Sequence, residues 1–88
     1  MINSWNKYLV EFLGTLFLTY IIFLTGNYLA IGSALAIVVL IGGNISGGAF
    51  NPAVAIAMFY KGKLTSEDLI PYILAQILGA LVAVMIQV

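Results

Sequence analysis

The chain has 88 residues, of which 64% are hydrophobic and 7% charged, with three basic and three acidic side chains. Soluble domains carry about half apolar and about a quarter charged residues. A mean hydropathy of +1.18 therefore points to lipid as the solvent of this protein. The chain contains no cysteine and no histidine. That excludes disulfides and Cys/His metal sites, and it removes the commonest general base. No catalytic residue, metal or cofactor is expected. The scattered lysines form no basic patch, so nucleic acid is not an expected partner.

The first apolar run covers residues 8–24. With Trp5, Asn6 and Lys7 before it and Thr25 after it, a spanning helix is predicted over about 5–25. Such a helix needs about 20 mostly apolar residues to cross a core of ~30 Å. A secretory signal is the alternative. Glu11 inside the apolar run and the lack of a small-x-small cleavage site argue against it. Gly26-Asn27 reads as a turn, and the uncharged run 28–43 as a second spanning helix. Gly32 and Ala36 give that helix a small face for close approach. The stretch 45–50 is too glycine-rich for a helix and reads as a loop.

Asn51-Pro52 is a helix-start signal, with Asn as N-cap and Pro at the first helical position. The helix it opens stops at Tyr60, before Lys61-Gly62-Lys63. At 1.5 Å per residue it is about 15 Å long, half a bilayer. Loop and half-helix together occupy 44–60. Thr65-Ser66-Glu67-Asp68 then opens the last predicted helix, over about 66–88, with acidic residues in the turn the helix dipole favours. Pro71 falls in its first turns, where a missing N–H matters least. Ala75, Gly79 and Ala83 form a small-residue packing stripe, to which Gly14 on the first helix adds another small position. The expected fold is an all-α membrane protein: three transmembrane helices and one re-entrant half-helix, in a single unit over 1–88.

Lysine excess marks the cytoplasmic side. Lys7 places the N-terminus inside, and a dip by 44–60 returns Lys61 and Lys63 to the same side. Backbone at membrane depth is tolerated only in protein or beside a wet cavity. The carbonyls of Gly43, Asn44, Ile45, Ser46, Gly47 and Gly48 are accordingly expected to line an aqueous path. The half-helix N-terminus carries about half a positive charge, which repels cations. The Asn51 amide is left to donate into the cavity. Donors between rows of acceptors suit a small neutral molecule, such as water or a polyol.

The run Ile45-Ser46-Gly47-Gly48-Ala49-Phe50-Asn51-Pro52-Ala53-Val54 resembles the first signature loop of the aquaporin and glycerol-facilitator (major intrinsic protein) family. Glu11-Phe12-Leu13-Gly14-Thr15 and the run from Pro71 to Ala80 match the flanking helices, so the likeness covers almost the whole chain. It implies one half of an inverted-repeat channel, of the N-terminal type. By that match Asn51 is the solute donor, Pro52 and Ala53 form the contact between half-helices, and Glu11 is the buried carboxylate that holds the loop. The implied partners are the bilayer, water or a neutral solute such as glycerol, and a second inverted repeat in an oligomeric assembly. That repeat is either covalent or a second copy. The apolar end at Met85-Ile86-Gln87-Val88 and the one-sided lysines favour the covalent form.

Several residues depart from the family pattern. Ala49 stands where the family often has histidine, and Val54 stands where the second repeat supplies a filter arginine. Counting back from Asn51, Ile31 falls about where the family puts another filter residue. Bland readings stand beside these. Glu11 can snorkel to the interface, although Thr15 and Thr19 continue its face and favour an inward carboxylate. Gln76 reads better as an interhelical hydrogen-bond partner than as a transport residue. Trp5, Tyr8, Tyr28, Tyr60 and Tyr72 read mostly as interfacial anchors. Gly47-Gly48 lacks the Gly-Lys-Ser/Thr of a phosphate loop. Two functions remain, a half-channel for neutral solutes or a non-conducting component that only packs with other helices.

Overall fold

Apolar runs, three of them opened by a capping side chain, produce four helices in the computed structural model, which describes residues 5–87. They are α1 (Trp5–Thr25), α2 (Tyr28–Ser46), α3 (Pro52–Tyr60) and α4 (Ser66–Ile86). Val88, the last position of the final predicted helix, lies outside the described residues. Asn27 caps α2 by accepting from the Ala30 N–H at 3.0 Å, and Thr65 caps α4 by accepting from the Asp68 N–H at 3.2 Å. Helices α1 and α4 have 21 residues each and α2 has 19. At 1.5 Å per residue they reach about 30 Å, a bilayer core. All three are apolar enough to cross a membrane. Helix α3, with nine residues, is about half that length.

Helix α1 is central, packed against α4 on one side and α2 on the other. Helices α1 and α4 run parallel. At their N-termini Lys7 Nζ and Tyr8 Oη both lie 2.6 Å from the Asp68 carboxylate. Near their C-termini Gln87 Nε2 donates to the Tyr20 carbonyl at 2.7 Å. Between these ends, Gly79 brings α4 onto the α1 backbone, so that a Cβ there would collide with the Phe12 carbonyl oxygen. Ala83, one turn on, is fully buried. Helix α2 is antiparallel to α1, with Gly42 against Val10 and Ser46 against Glu11.

This arrangement fixes the path of residues 47–65. The segment leaves α2 near the N-terminal end of α1 and must rejoin that same end, where α4 starts. In between, Asn51 and Pro52 lie alongside Thr15, Thr19, Gln76 and Ala80, halfway along α1 and α4. Helix α3 then runs back, and Ala55 and Leu64 pack with Tyr72, Tyr8 and Phe59. Lys7 therefore shares one end of the bundle with the α3–α4 connection that carries Lys61 and Lys63.

Three expectations are corrected. Residues 44–46, expected in the loop, are helical, because α2 continues to Ser46. Gly47, at φ 87°, closes the helix by donating its N–H to the Gly43 carbonyl at 2.8 Å. The left-handed conformation that glycine adopts freely ends the helix there, not at the first glycine pair. The Gly43 carbonyl is thus spent on the cap, and the Ser46 carbonyl accepts from Tyr72 Oη at 2.7 Å. Gly32 is no packing residue within this chain: it is exposed, and a Cβ there would meet nothing within 4 Å. Tyr72 is no interfacial anchor, since it is only 2% exposed. Trp5, Tyr28 and Tyr60 are exposed.

Candidate functional site: the loop held by Glu11

Glu11 lies on the face of α1 that also carries Thr15, and its side chain is fully buried. Its Oε2 accepts from Ser46 Oγ at 2.7 Å and from the Ala49 N–H at 3.2 Å. Its Oε1 accepts from the Phe50 N–H at 2.7 Å and from Gln76 Nε2 at 2.8 Å. One carboxylate thereby satisfies donors from α2, α4 and the connection to α3. A buried carboxylate is expensive unless its lone pairs are filled, and these are filled by four neutral donors. Ser46 continues the network, accepting from the Gly48 N–H at 3.2 Å.

Phe50 is the residue that sequence reasoning missed. It adopts φ 53°, the positive-φ conformation that L residues avoid, and it is 3% exposed. Such a backbone costs roughly 1–3 kcal/mol and persists only where its surroundings over-determine it. Here the Glu11 carboxylate fixes the N–H, and the ring fills the space left by the absent side chain of Gly14. Gly14 serves that ring, not a helix crossing. The signal in the sequence was the pairing of one bulky residue before Asn51 with a glycine three positions after Glu11.

The turn at Phe50 sets Asn51 at the start of α3. Asn51 Oδ1 accepts from the Ala53 N–H at 2.7 Å and the Val54 N–H at 3.3 Å. The oxygen is thereby committed to the cap, and the amide nitrogen is turned away from it. Asn51 and Pro52 border a cleft of about 260 Å³ that is also lined by Thr15, Thr19 and Gln76. Among the described residues, no charged side chain lines it. The positive end of the α3 dipole is directed to this region, at mid-depth of the bundle.

Residues 24–87 match the family described as "Major intrinsic protein". The chain belongs to the major intrinsic protein family. Similar relatives include the glycerol uptake facilitator protein-like 6 of Lactiplantibacillus plantarum, 44% identical over 89% of this chain and 40% of the relative. Aquaporin Z of Brucella melitensis is 39% identical over 89% of this chain and 41% of its own length. Aquaporin-8 of Notomys alexis is 50% identical over 61% of this chain and 21% of its own length. The chain thus spans about two fifths of the first two relatives. No solved structure matches it.

As a member of this family the chain is a multi-pass membrane protein, with three helices able to span. The positions named from the sequence do not all converge. Asn51 and Pro52 border the cleft, whereas Ala53 and Val54 are exposed on α3 and do not line it. Ile31, in the first turn of α2, sits at the opposite end of the bundle from the lysines and also lies outside the cleft. Ala49 is buried with Ala55, Leu64 and Tyr72. Gln76 joins α4 to α1 through Glu11.

Proposed function

We propose that this chain forms one half of a membrane channel that passes water or a small neutral solute such as glycerol. The observation that carries the reading is the N-terminus of α3. Capped by Asn51, it opens at mid-depth onto a cleft without charged side chains. In this reading the segment 47–60 dips into the membrane and returns, the N-terminus is cytoplasmic, and the α3 dipole excludes cations. Asn51 donates to the solute, and the open side of the bundle is closed by a second, inverted repeat. The relatives' greater length supports a covalent repeat. The glycerol uptake and aquaporin names of the relatives support the solute class.

The test is solute-driven swelling of proteoliposomes. The 88-residue chain alone should give no flux above empty liposomes, and an assembly that supplies the second repeat should conduct. In that assembly Asn51→Asp keeps an oxygen for the cap but replaces the donor with a negative charge. It should admit cations or lower neutral flux. Unchanged neutral flux with unchanged ion exclusion removes Asn51 from the pathway.

A further inference from the structure

A groove of about 210 Å³ lies between α1 and α2. Its floor is Gly14, Gly42 and the Phe50 ring, and Leu13, Val38 and Ile41 stand along its walls. At 3.6 residues per turn Leu13 and Thr15 point about 160° apart around α1. The groove and the cleft beside Asn51 therefore open on nearly opposite faces of that helix, and among the described residues only Phe50 borders both. The two floor glycines make room for the ring. A Cβ at Gly14 would collide with Phe50 Cε1, and one at Gly42 would meet Phe50 Cζ at 3.5 Å.

We propose that this groove binds one acyl chain of a phospholipid, from the leaflet on the Lys7 side. Among the described residues, none that lines it carries a polar side chain, so water and ions find no partner there. An apolar cavity of about 150 Å³ lined by Leu, Ile and Phe stays dry and takes up a hydrocarbon such as benzene. The walls are continuous with the surface that a membrane protein presents to lipid, since Leu13 is 51% and Ile41 70% exposed. Depth agrees. Gly14 lies one turn of α1 beyond Val10 and two beyond Lys7, about 10 Å at 1.5 Å per residue, within the ~15 Å of one leaflet's hydrocarbon.

A second copy of the chain does not fit the same space. A helix is about 10–12 Å across with its side chains and needs small residues to come close. Here Phe50 and Val10 already occupy the space beside the two glycines, and the bulky Leu13 and Ile41 form the rim. A single polymethylene chain is thin enough to lie between them. It packs against the ring of the residue whose positive φ aims α3, so one leaflet touches the support of that turn. The site requires that the chain be in a membrane and does not require it to conduct.

Phosphatidylcholine with a photoreactive diazirine at mid-chain, in nanodiscs holding the 88-residue chain, tests this. Leu78 is the matched control. It is also a leucine, 55% exposed against 51% for Leu13, and it precedes Gly79, which packs on the α1 backbone between Phe12 and Leu16. The two leucines therefore lie at about the same depth. After irradiation, peptide mass spectrometry should find lipid adducts at Leu13 several-fold above those at Leu78. Val38→Phe, which fills the groove with a ring, should bring the two to parity. Equal labelling of Leu13 and Leu78 in the unaltered chain overturns the site and leaves only bulk lipid. An excess at Leu13 that persists in a folded Val38→Phe protein overturns it too. Photoleucine in place of Leu13, with ordinary lipid, should yield lipid adducts, and adducts to a second chain instead overturn the proposal. If Val38→Phe does not fold, the unaltered chain and the photoleucine protein decide. These measurements read no flux, so their failure leaves the channel reading untouched, and failure of that reading leaves this site in place.

Discussion

The Phe50 backbone nitrogen lies 2.7 Å from Glu11 Oε1, across 39 positions of sequence. That one bond joins the face of α1 to the residue whose positive φ aims α3. Local preference alone would not place a phenylalanine there. The carboxylate, the ring pocket at Gly14 and the cap at Asn51 act together on two consecutive residues, Phe50 and Asn51.

Removal of the carboxylate should therefore loosen the whole segment. In Glu11→Ala the four donors from Ser46, Ala49, Phe50 and Gln76 lose their acceptor. Each buried group left unpaired costs about 1–3 kcal/mol, so a large fall in thermal stability in detergent is expected. Glu11→Gln, which keeps one acceptor oxygen, should fall less. Stability equal to the unaltered protein would show that Glu11 does not hold the segment.

The glycines should separate by what surrounds them. Gly79→Ala drives a methyl into the α1 backbone at Phe12, and helix backbone cannot step aside. Gly14→Ala meets the ring of Phe50, which is itself confined. Both should destabilise by about 1–3 kcal/mol or more, as overpacking does. Gly32→Ala meets open space and should be neutral or stabilising by up to about 1 kcal/mol through helix propensity. Thermal unfolding of the three variants in one detergent checks the order.

Membrane sidedness should follow the geometry of the bundle. Cysteines placed at Asn6 and Lys61, both exposed, should react with an impermeant maleimide from the same face. A cysteine at Asn27, in the α1–α2 turn, should react from the opposite face. Labelling of positions 6 and 61 from opposite faces would show that the half-length helix crosses the membrane.

The ends of the chain's elements were legible because they are local events. Asn27, Asn51 and Thr65 cap with their own side chains, and their partners are two or three residues away. The length of α3 was legible for the same reason, as Pro52 starts it and Lys61-Gly62-Lys63 stops it. The end of α2 was not, because it depends on whether Gly43 or Gly47 turns left-handed. Distant groups decide that: Tyr72 takes the Ser46 carbonyl and Glu11 takes the Ser46 hydroxyl.

Composition alone determined that this chain lives in lipid, and hydropathy with capping determined three long helices and a short one. Whether Glu11 points inward, whether Gly14 and Gly32 face anything, and where Phe50 sits were decided only by tertiary structure. The physical reason is the range of the interactions. A cap or an apolar run is complete within a few residues. A buried carboxylate is stable only when donors far apart in sequence converge on it, and the space beside a glycine has no meaning until another helix arrives.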